Sequence, residues 1–323
     1  RIGIDAPKNI PLEVIVRRLL DRLRSAEAAD RLFVFDNVEN PDDLRDLIPE
    51  GTGVRALITT THHDILFFTN RGRAFVLKSY EIPESGRQAK GTAIVNLLAV
   101  ENDERITAVI QVKEFRADRY LFLGTKHGVV KKTPLSEFGN IRKNGLRAVN
   151  LDEDDELIGV KFTDGENRIM LGTRGGKAIT FPEDGVRSMG RVARGVRGIT
   201  LADGDEVVAM DVLKNDSEVL TVTESGYGKR TTASEYRTQT RGGKGLINMK
   251  VTEKTGPVVG IRVVRENQEL MLITTEGIVI RTSVDEISLI SRNTQGVKLM
   301  TIAESDRVAS MATMNRIVDS AGE

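Results

Sequence analysis

IMLGTRGG, residues Ile169 to Gly176, decides how this chain folds. A short apolar run ends in Thr-x-x-Gly. Runs of that length, built from Ile, Leu, Val and Thr and broken by Gly, form strands rather than helices. Thr-x-x-Gly supplies the hairpin turn, with Gly taking the position of positive φ.

The same string recurs on both sides. It reads ILFFTNRG at Ile65 to Gly72, LFLGTKHG at Leu121 to Gly128, VLTVTESG at Val219 to Gly226 and LMLITTEG at Leu270 to Gly277. The closing glycines lie 56, 48, 50 and 51 residues apart. A second glycine follows at a near-fixed offset. Gly91, Gly195, Gly245 and Gly296 each come 19 residues after the hairpin glycine of their copy, and Gly145 comes 17 after. Arg87, Arg191, Arg241 and Arg292 stand in the pattern Arg-x-x-x-Gly, and Arg142 is one residue closer. Each copy closes with another apolar strand, such as ERITAVIQV (104–112) or DEVVAMDVL (205–213).

A sheet of about four strands cannot bury both faces alone, and stacking such sheets around an axis solves the problem. The expectation is a mainly β fold: a propeller-like ring of about five four-stranded blades over residues 63–314. The copies run at about 63–113, 114–163, 164–214, 215–265 and 266–314, with a tail at 315–323. A line of independent β modules would need Pro- or Ser-rich linkers between copies, and the sequence has none.

Residues 1–62 do not follow the repeat and are expected to form a short α/β segment. Glu13 to Leu23 places Val14, Ile15, Leu19, Leu20 and Leu23 at helical spacing. Arg31 to Asn40 reads as a buried strand, Pro41 to Leu47 as a short helix and Val54 to Thr61 as a second strand. Strand, acidic end, helix, strand resembles the middle of an NTPase of the STAND or NB-ARC type, over residues 12–61. That resemblance would make Asp36 a Walker B carboxylate. No G-x-x-x-x-G-K-[ST] phosphate loop occurs, so nothing cradles a triphosphate and NTP hydrolysis is not expected. The change of pattern near Thr61 and His62 reads as a junction between unrelated pieces.

Composition narrows the function. Cys is absent, which excludes disulfides and thiolate chemistry and fits a reducing cytoplasm. His62, His63 and His127 are too few for a His-rich metal site, and no apolar run approaches the ~20 residues that span a bilayer. No secretory leader is visible, so a soluble, intracellular protein is expected. The 47 basic residues are balanced by 47 acidic ones, so any nucleic-acid role must come from where the charges sit.

Repeats place equivalent side chains on the same edge of every blade, which is what contacts to successive phosphates require. One recurrent basic group borders the first hairpin: Arg71, Arg73 and Lys78; Lys126, Lys131 and Lys132; Arg174 and Lys177; Lys229 and Arg230; Arg281. The other lies in the Arg-x-x-x-Gly loops: Arg87 and Lys90; Arg142 and Lys143; Arg191 and Arg194; Gln239, Arg241 and Lys244; Arg292. Glycine in those loops lets backbone approach a phosphate. Acids gather instead in late turns such as Asp152 to Glu156 and Asp203 to Glu206, so a neutral chain is expected to present a basic rim. Few aromatics border these loops for stacking on single strands, and duplex DNA bent around the rim is the expected partner.

Several strings carry a family resemblance: DILFFTNRGRAF (64–75), YEIPESGRQAKG (80–91), DERITAVI (103–110), GVVKKTPLSEF (128–138), SGYGKRT (225–231) and RNTQGVKLM (292–300). From about His63 to Met314 the chain resembles the C-terminal domain of the A subunit of bacterial DNA gyrase. That resemblance implies a β-pinwheel, whose blades exchange strands with their neighbours and whose rim wraps DNA. It also implies a cytoplasmic, nucleoid-associated setting and, as partners, the gyrase B subunit together with the remainder of the gyrase A subunit. No cofactor, no membrane and no catalysis by this chain alone are expected: Tyr80, Tyr120, Tyr227 and Tyr236 all sit in repeat hairpins or the loops after them. The family usually has six blades and carries the box Gln-Arg-Arg-Gly-Gly-Lys-Gly in the first. Here Gln239-Thr240-Arg241-Gly242-Gly243-Lys244-Gly245 comes close to it, but in the fourth copy, where it reads as the local form of the repeat's loop. The related topoisomerase IV domain and a protein-binding propeller stay open as alternatives.

Overall fold

The computed structural model describes residues 32–36, 55–59, 63–82, 93–101, 103–142, 144–303 and 305–315. It falls into two units, one of residues 1–64, 77–84 and 319–323, the other of residues 65–76 and 85–318. In the first unit, strands β1 (Leu32–Asp36) and β2 (Arg55–Thr59) pair in parallel. The helices expected at 13–23 and 41–47, and the junction at Thr61 and His62, lie outside the described residues.

Every copy of the repeat becomes a blade. The first supplies β3 (Asp64–Thr69), β4 (Arg73–Lys78) and β5 (Ile106–Val112). The second supplies β6 (Tyr120–Thr125), β7 (Val129–Pro134), β8 (Leu146–Arg147) and β9 (Leu157–Thr163). The third supplies β10 (Arg168–Thr173), β11 (Lys177–Pro182), β12 (Val196–Arg197) and β13 (Val207–Leu213). The fourth supplies β14 (Glu218–Thr223), β15 (Tyr227–Thr232), β16 (Leu246–Ile247) and β17 (Val258–Val264). The fifth supplies β18 (Gln268–Thr274), β19 (Val279–Ser283), β20 (Val297–Lys298) and β21 (Val308–Asn315).

Sheet order shows that the copies do not keep their own strands. The blades are β5-β3-β4-β8, β9-β6-β7-β12, β13-β10-β11-β16, β17-β14-β15-β20 and β21-β18-β19. In the first four, the two-residue outer strand comes from the following copy, antiparallel to its new neighbour. Among the described residues the fifth blade has three strands. The last strands β5, β9, β13, β17 and β21 pack one against the next, which puts them nearest the axis and the exchanged strands at the outer edge.

Two recurrent contacts explain the sequence pattern. The threonine of each Thr-x-x-Gly turns its hydroxyl back to accept the N–H four residues on, at 3.1–3.3 Å in all five copies. The hairpin glycine of blades one to four then offers its carbonyl to two successive N–H groups of the next copy. Gly72 receives Ala148 and Val149, Gly128 receives Gly198 and Ile199, Gly176 receives Asn248 and Met249, and Gly226 receives Leu299 and Met300, all at 2.8–3.3 Å.

The core lies between blades rather than within them. Leu66 and Phe68 of the first blade are buried with Leu121, Leu157 and Val160 of the second. Phe122 packs with Ile169, Val207 and Met210 of the third, Met170 with Val219 and Ile261 of the fourth, and Leu220 with Leu270 and Met311 of the fifth. Val160, Met210, Ile261 and Met311 hold equivalent positions on the axial strands. Their counterpart in the first blade, Val109, is 54% exposed, and Ile273 and Val279 of the fifth blade are 37% and 52% exposed.

Glycines at two strand positions receive these inserted side chains. A Cβ built on Gly124 would stand 2.7 Å from the Met210 sulfur, and one on Gly172 would stand 2.1 Å from Ile261 Cδ1. Gly172→Val should therefore overpack the third interface and cost roughly 1–3 kcal/mol. Denaturant unfolding is expected to show a lower midpoint, largely restored by adding Ile261→Ala; an unaltered midpoint for the single variant would contradict the packing described.

Candidate nucleic-acid interface

The basic residues at the first hairpin are mostly committed to acids. The late turn of a copy lies against its hairpin: Asp155 Oδ1 accepts the His127 N–H at 2.9 Å, Asp205 that of Gly175 at 2.7 Å, and Asp306 that of Glu276 at 3.1 Å. Carboxylates are therefore at hand. Arg71 pairs with Asp103, Arg73 with Glu101 and Glu104, and Lys78 with Asp64. Lys126 reaches Glu206 of the next blade at 3.2 Å, and Arg174 reaches Glu224 of the next. Arg281 pairs with Glu269. Arg230 is held by Glu218 at 2.6 Å and by the carbonyls of Ile287 and Asp285.

Three lysines of this group are interior. Lys131 and Lys229 are 1% and 0% exposed, and Lys132 is 7% exposed with Nζ on the Glu183 carbonyl and over the Tyr120 ring. Burial, reinforced by the neighbouring Arg191, pushes the Lys131 ammonium down to about 8. Burial does the same for Lys229, also to about 8. The expectation that these three line the rim is corrected here: no phosphate can reach them. Lys131 and Lys229 face the loop of the next copy, whose carbonyls satisfy their charge, while Lys132, on the opposite face of its strand, is held by the Glu183 carbonyl.

The loop group is more open. Arg142, Arg194 and Lys244 are exposed, although Arg194 pairs with Asp152. Arg191 stands 3.6 Å from Glu137. Arg241 donates to the carbonyls of Gly185 and Arg197 at 2.9 and 3.2 Å, and Arg292 donates to Ile247 O at 2.8 Å. Both guanidiniums tie their loop to the preceding one while staying half-exposed. Lys177 is half-buried beside Ile247, and Gln239 is half-buried with its N–H on Thr180 O. Arg87, Lys90 and Lys143 lie outside the described residues.

The loop glycines have a structural duty that the sequence reading gave to phosphate. A Cβ on Gly195, Gly245 or Gly296 would stand 2.5–2.7 Å from a backbone carbonyl of the preceding blade, that of Val130, Ala178 or Gly228. They let the exchanged strand dock. That strand also carries basic residues missed in the sequence: Arg147, Arg197 and Lys298 are its second residue in three of four cases, and all are exposed. Arg187 and Arg237, four residues before the loop arginine, are exposed as well. The signal was present two residues after Gly145, Gly195 and Gly296. The outer edge of successive blades thus carries solvent-facing cations in loops and exchanged strands, while the hairpin cations are largely neutralised.

A family model described as "DNA gyrase C-terminal domain, beta-propeller" matches residues 63–113, 119–164, 167–214, 217–265 and 268–313, one match to each blade. The chain belongs to the DNA gyrase C-terminal domain family. Among its relatives, the A subunit of DNA gyrase from Salmonella typhimurium is 47% identical over 265 residues, covering 82% of this chain and 30% of the relative. Its counterpart from Staphylococcus aureus (strain MRSA252) is 46% identical over 274 residues, covering 84% and 31%. The chain therefore spans less than a third of the length of the curated relatives it matches. Of solved structures, the C-terminal domain of DNA topoisomerase IV superposes with TM-score 0.74 at 28% identity, covering 79% of this chain and 80% of that one. A DNA gyrase A C-terminal domain gives 0.68 at 25% identity, covering 79% and 83%.

Within this gyrase-type domain the two classes of arginine should separate by experiment. Arg230→Met strands the part-buried Glu218 carboxylate and should cost roughly 3 kcal/mol. Arg197→Met removes a solvent-facing charge and should leave stability within ~0.5 kcal/mol. Chemical denaturation of both variants checks this, and equal midpoints would refute the division.

Proposed function

We propose that this chain binds duplex DNA along the outer edge of its blades and bends or wraps it, in the manner of a gyrase C-terminal domain. The observation that carries the reading is the recurrence of exposed cations on exchanged strands and loops, at Arg142, Arg147, Arg187, Arg194, Arg197, Arg237, Lys244 and Lys298. Phosphate contacts need charge at intervals along one surface and no base-reading groups, so sequence preference should be slight. The chain itself carries no catalytic step. Its partners are duplex DNA, the gyrase B subunit and the rest of the gyrase A subunit, in a bacterial cytoplasm, and it contributes there to supercoiling. The structural likeness to topoisomerase IV makes that enzyme's domain the second reading; identity near 47% to gyrase A subunits favours the first.

Arg241 braces a neighbouring loop, so charge reversal is better placed at Arg197 and Lys244. Arg197→Glu with Lys244→Glu should weaken binding of a duplex of about 140 base pairs at least tenfold, with thermal stability unchanged. The parent's log affinity should fall with log salt by about 0.9 per phosphate contact, and the variant's slope should be shallower by about two contacts. A salt-insensitive affinity would point to a protein-binding propeller instead. Because the near-match to the family's box stands in the fourth copy, the chain should trap little positive writhe in a topoisomerase relaxation assay; strong trapping would show that this loop serves as the box.

A further inference from the structure

Position three after the hairpin glycine faces the loop of the next copy in every one of the first four blades. Phe75 holds that position in the first blade, against Gly145, and Ile179 holds it in the third, against Gly243. In the second and fourth blades the same position is lysine. The Lys131 Nζ donates to the carbonyls of Ala148, at 2.6 Å, and Arg191. The Lys229 Nζ donates to the carbonyls of Ser291, at 2.7 Å, and Arg292, and to Thr294 Oγ1 at 3.1 Å. A greasy side chain can fill this space, so packing alone does not call for a cation. The ammonium adds an inward pull on backbone carbonyls.

A trans peptide is planar, with its C=O and N–H on opposite sides, and no cis bond occurs among the described residues. Drawing the Arg191 carbonyl inward turns the Val192 N–H outward, and drawing the Arg292 carbonyl inward does the same for the Asn293 N–H. Val192 and Asn293 lie in their loops and are both exposed. We propose that Lys131 and Lys229 are positioning residues which, from inside the blade, turn the N–H groups of Val192 and Asn293 toward solvent as donors to a DNA phosphate. The proposal rests on the reading of the outer edge as a duplex track and adds main-chain donors to it.

Protonation should govern these donors. Arg191 and Glu137 face Lys131; Arg292 and Glu235 face Lys229, with Tyr236 beside them kept neutral by burial. Both lysines lose their charge near pH 8. Above that pH the carbonyls are released and affinity should fall. Fold stability should move the other way: the folded pKa lies below the unfolded value, so from about pH 8 to 10 the unfolded chain binds more protons and stability rises with pH. Opposite signs separate loop positioning from unfolding.

Fluorescence anisotropy with a labelled duplex tests this on the whole chain. The parent should lose about tenfold in affinity between about pH 7 and 9.5, with a midpoint near 8. Lys131→Met with Lys229→Met should bind about tenfold more weakly at pH 7, keep the parent's salt slope because no phosphate contact by lysine is lost, and show a flat pH profile. Parental affinity in the double variant, or a pH-independent parent, overturns the proposal; the parent's profile decides even if the variant fails to fold. Absence of any salt-dependent binding by the parent would instead refute the duplex track.

Discussion

The carbonyl of one hairpin glycine, shared between two N–H groups of the next copy, is the contact on which this architecture depends. It fixes where a chain leaving one blade must pass before it can build the next. The glycine is needed twice over: its φ of 73–83° in the first four hairpins closes the turn, and its missing side chain opens the carbonyl to a neighbour. At Gly176 a Cβ would stand 2.4 Å from the Met249 carbonyl oxygen. From this seam follow the two-residue exchanged strand, its docking glycine, and the interleaved core in which the axial strands of blades two to five bury a Val, Met or Ile in the preceding blade. Blades so joined cannot be independent folding modules, because the exchanged outer strands belong to the following copy and every core cluster spans two blades.

Most of this was legible in the repeat. Five Thr-x-x-Gly strings gave five blades, and the loops that end at Gly145, Gly195, Gly245 and Gly296 proved to be the links between them. Strand exchange was legible only through the family resemblance, since two residues such as Leu246 and Ile247 are too short for periodicity to register. The site was read less well. Lys131 and Lys229 read as rim cations because each borders the first hairpin of its copy, yet in the neighbouring copies their position is filled by Phe75 and Ile179. Reading columns across the repeat, rather than charge along the chain, would have marked them as interior. Pairing was beyond the sequence altogether: that Lys126 meets Glu206 depends on which late turn the ring brings beside which hairpin.

The same pairing explains how a chain of zero net charge can offer a cationic track. Long-range steering by net charge is unavailable to it, so attraction must be local and short compared with the ~10 Å screening length of ordinary salt. Ion pairs such as Arg71–Asp103 and Arg174–Glu224 cancel charge near the hairpin tips. Cations on the exchanged strands have no such fixed partner built in, because that strand is too short to bring a late turn with it: Arg197 and Lys298 are followed at once by the residues that dock on the hairpin glycine. The exchange that holds the blades together thereby also places cations at the outer edge away from the late-turn acids. Position along the repeat, not composition, sets the sign of each surface, and a mutation that merely adds lysine to a hairpin tip would be absorbed by the acids already there.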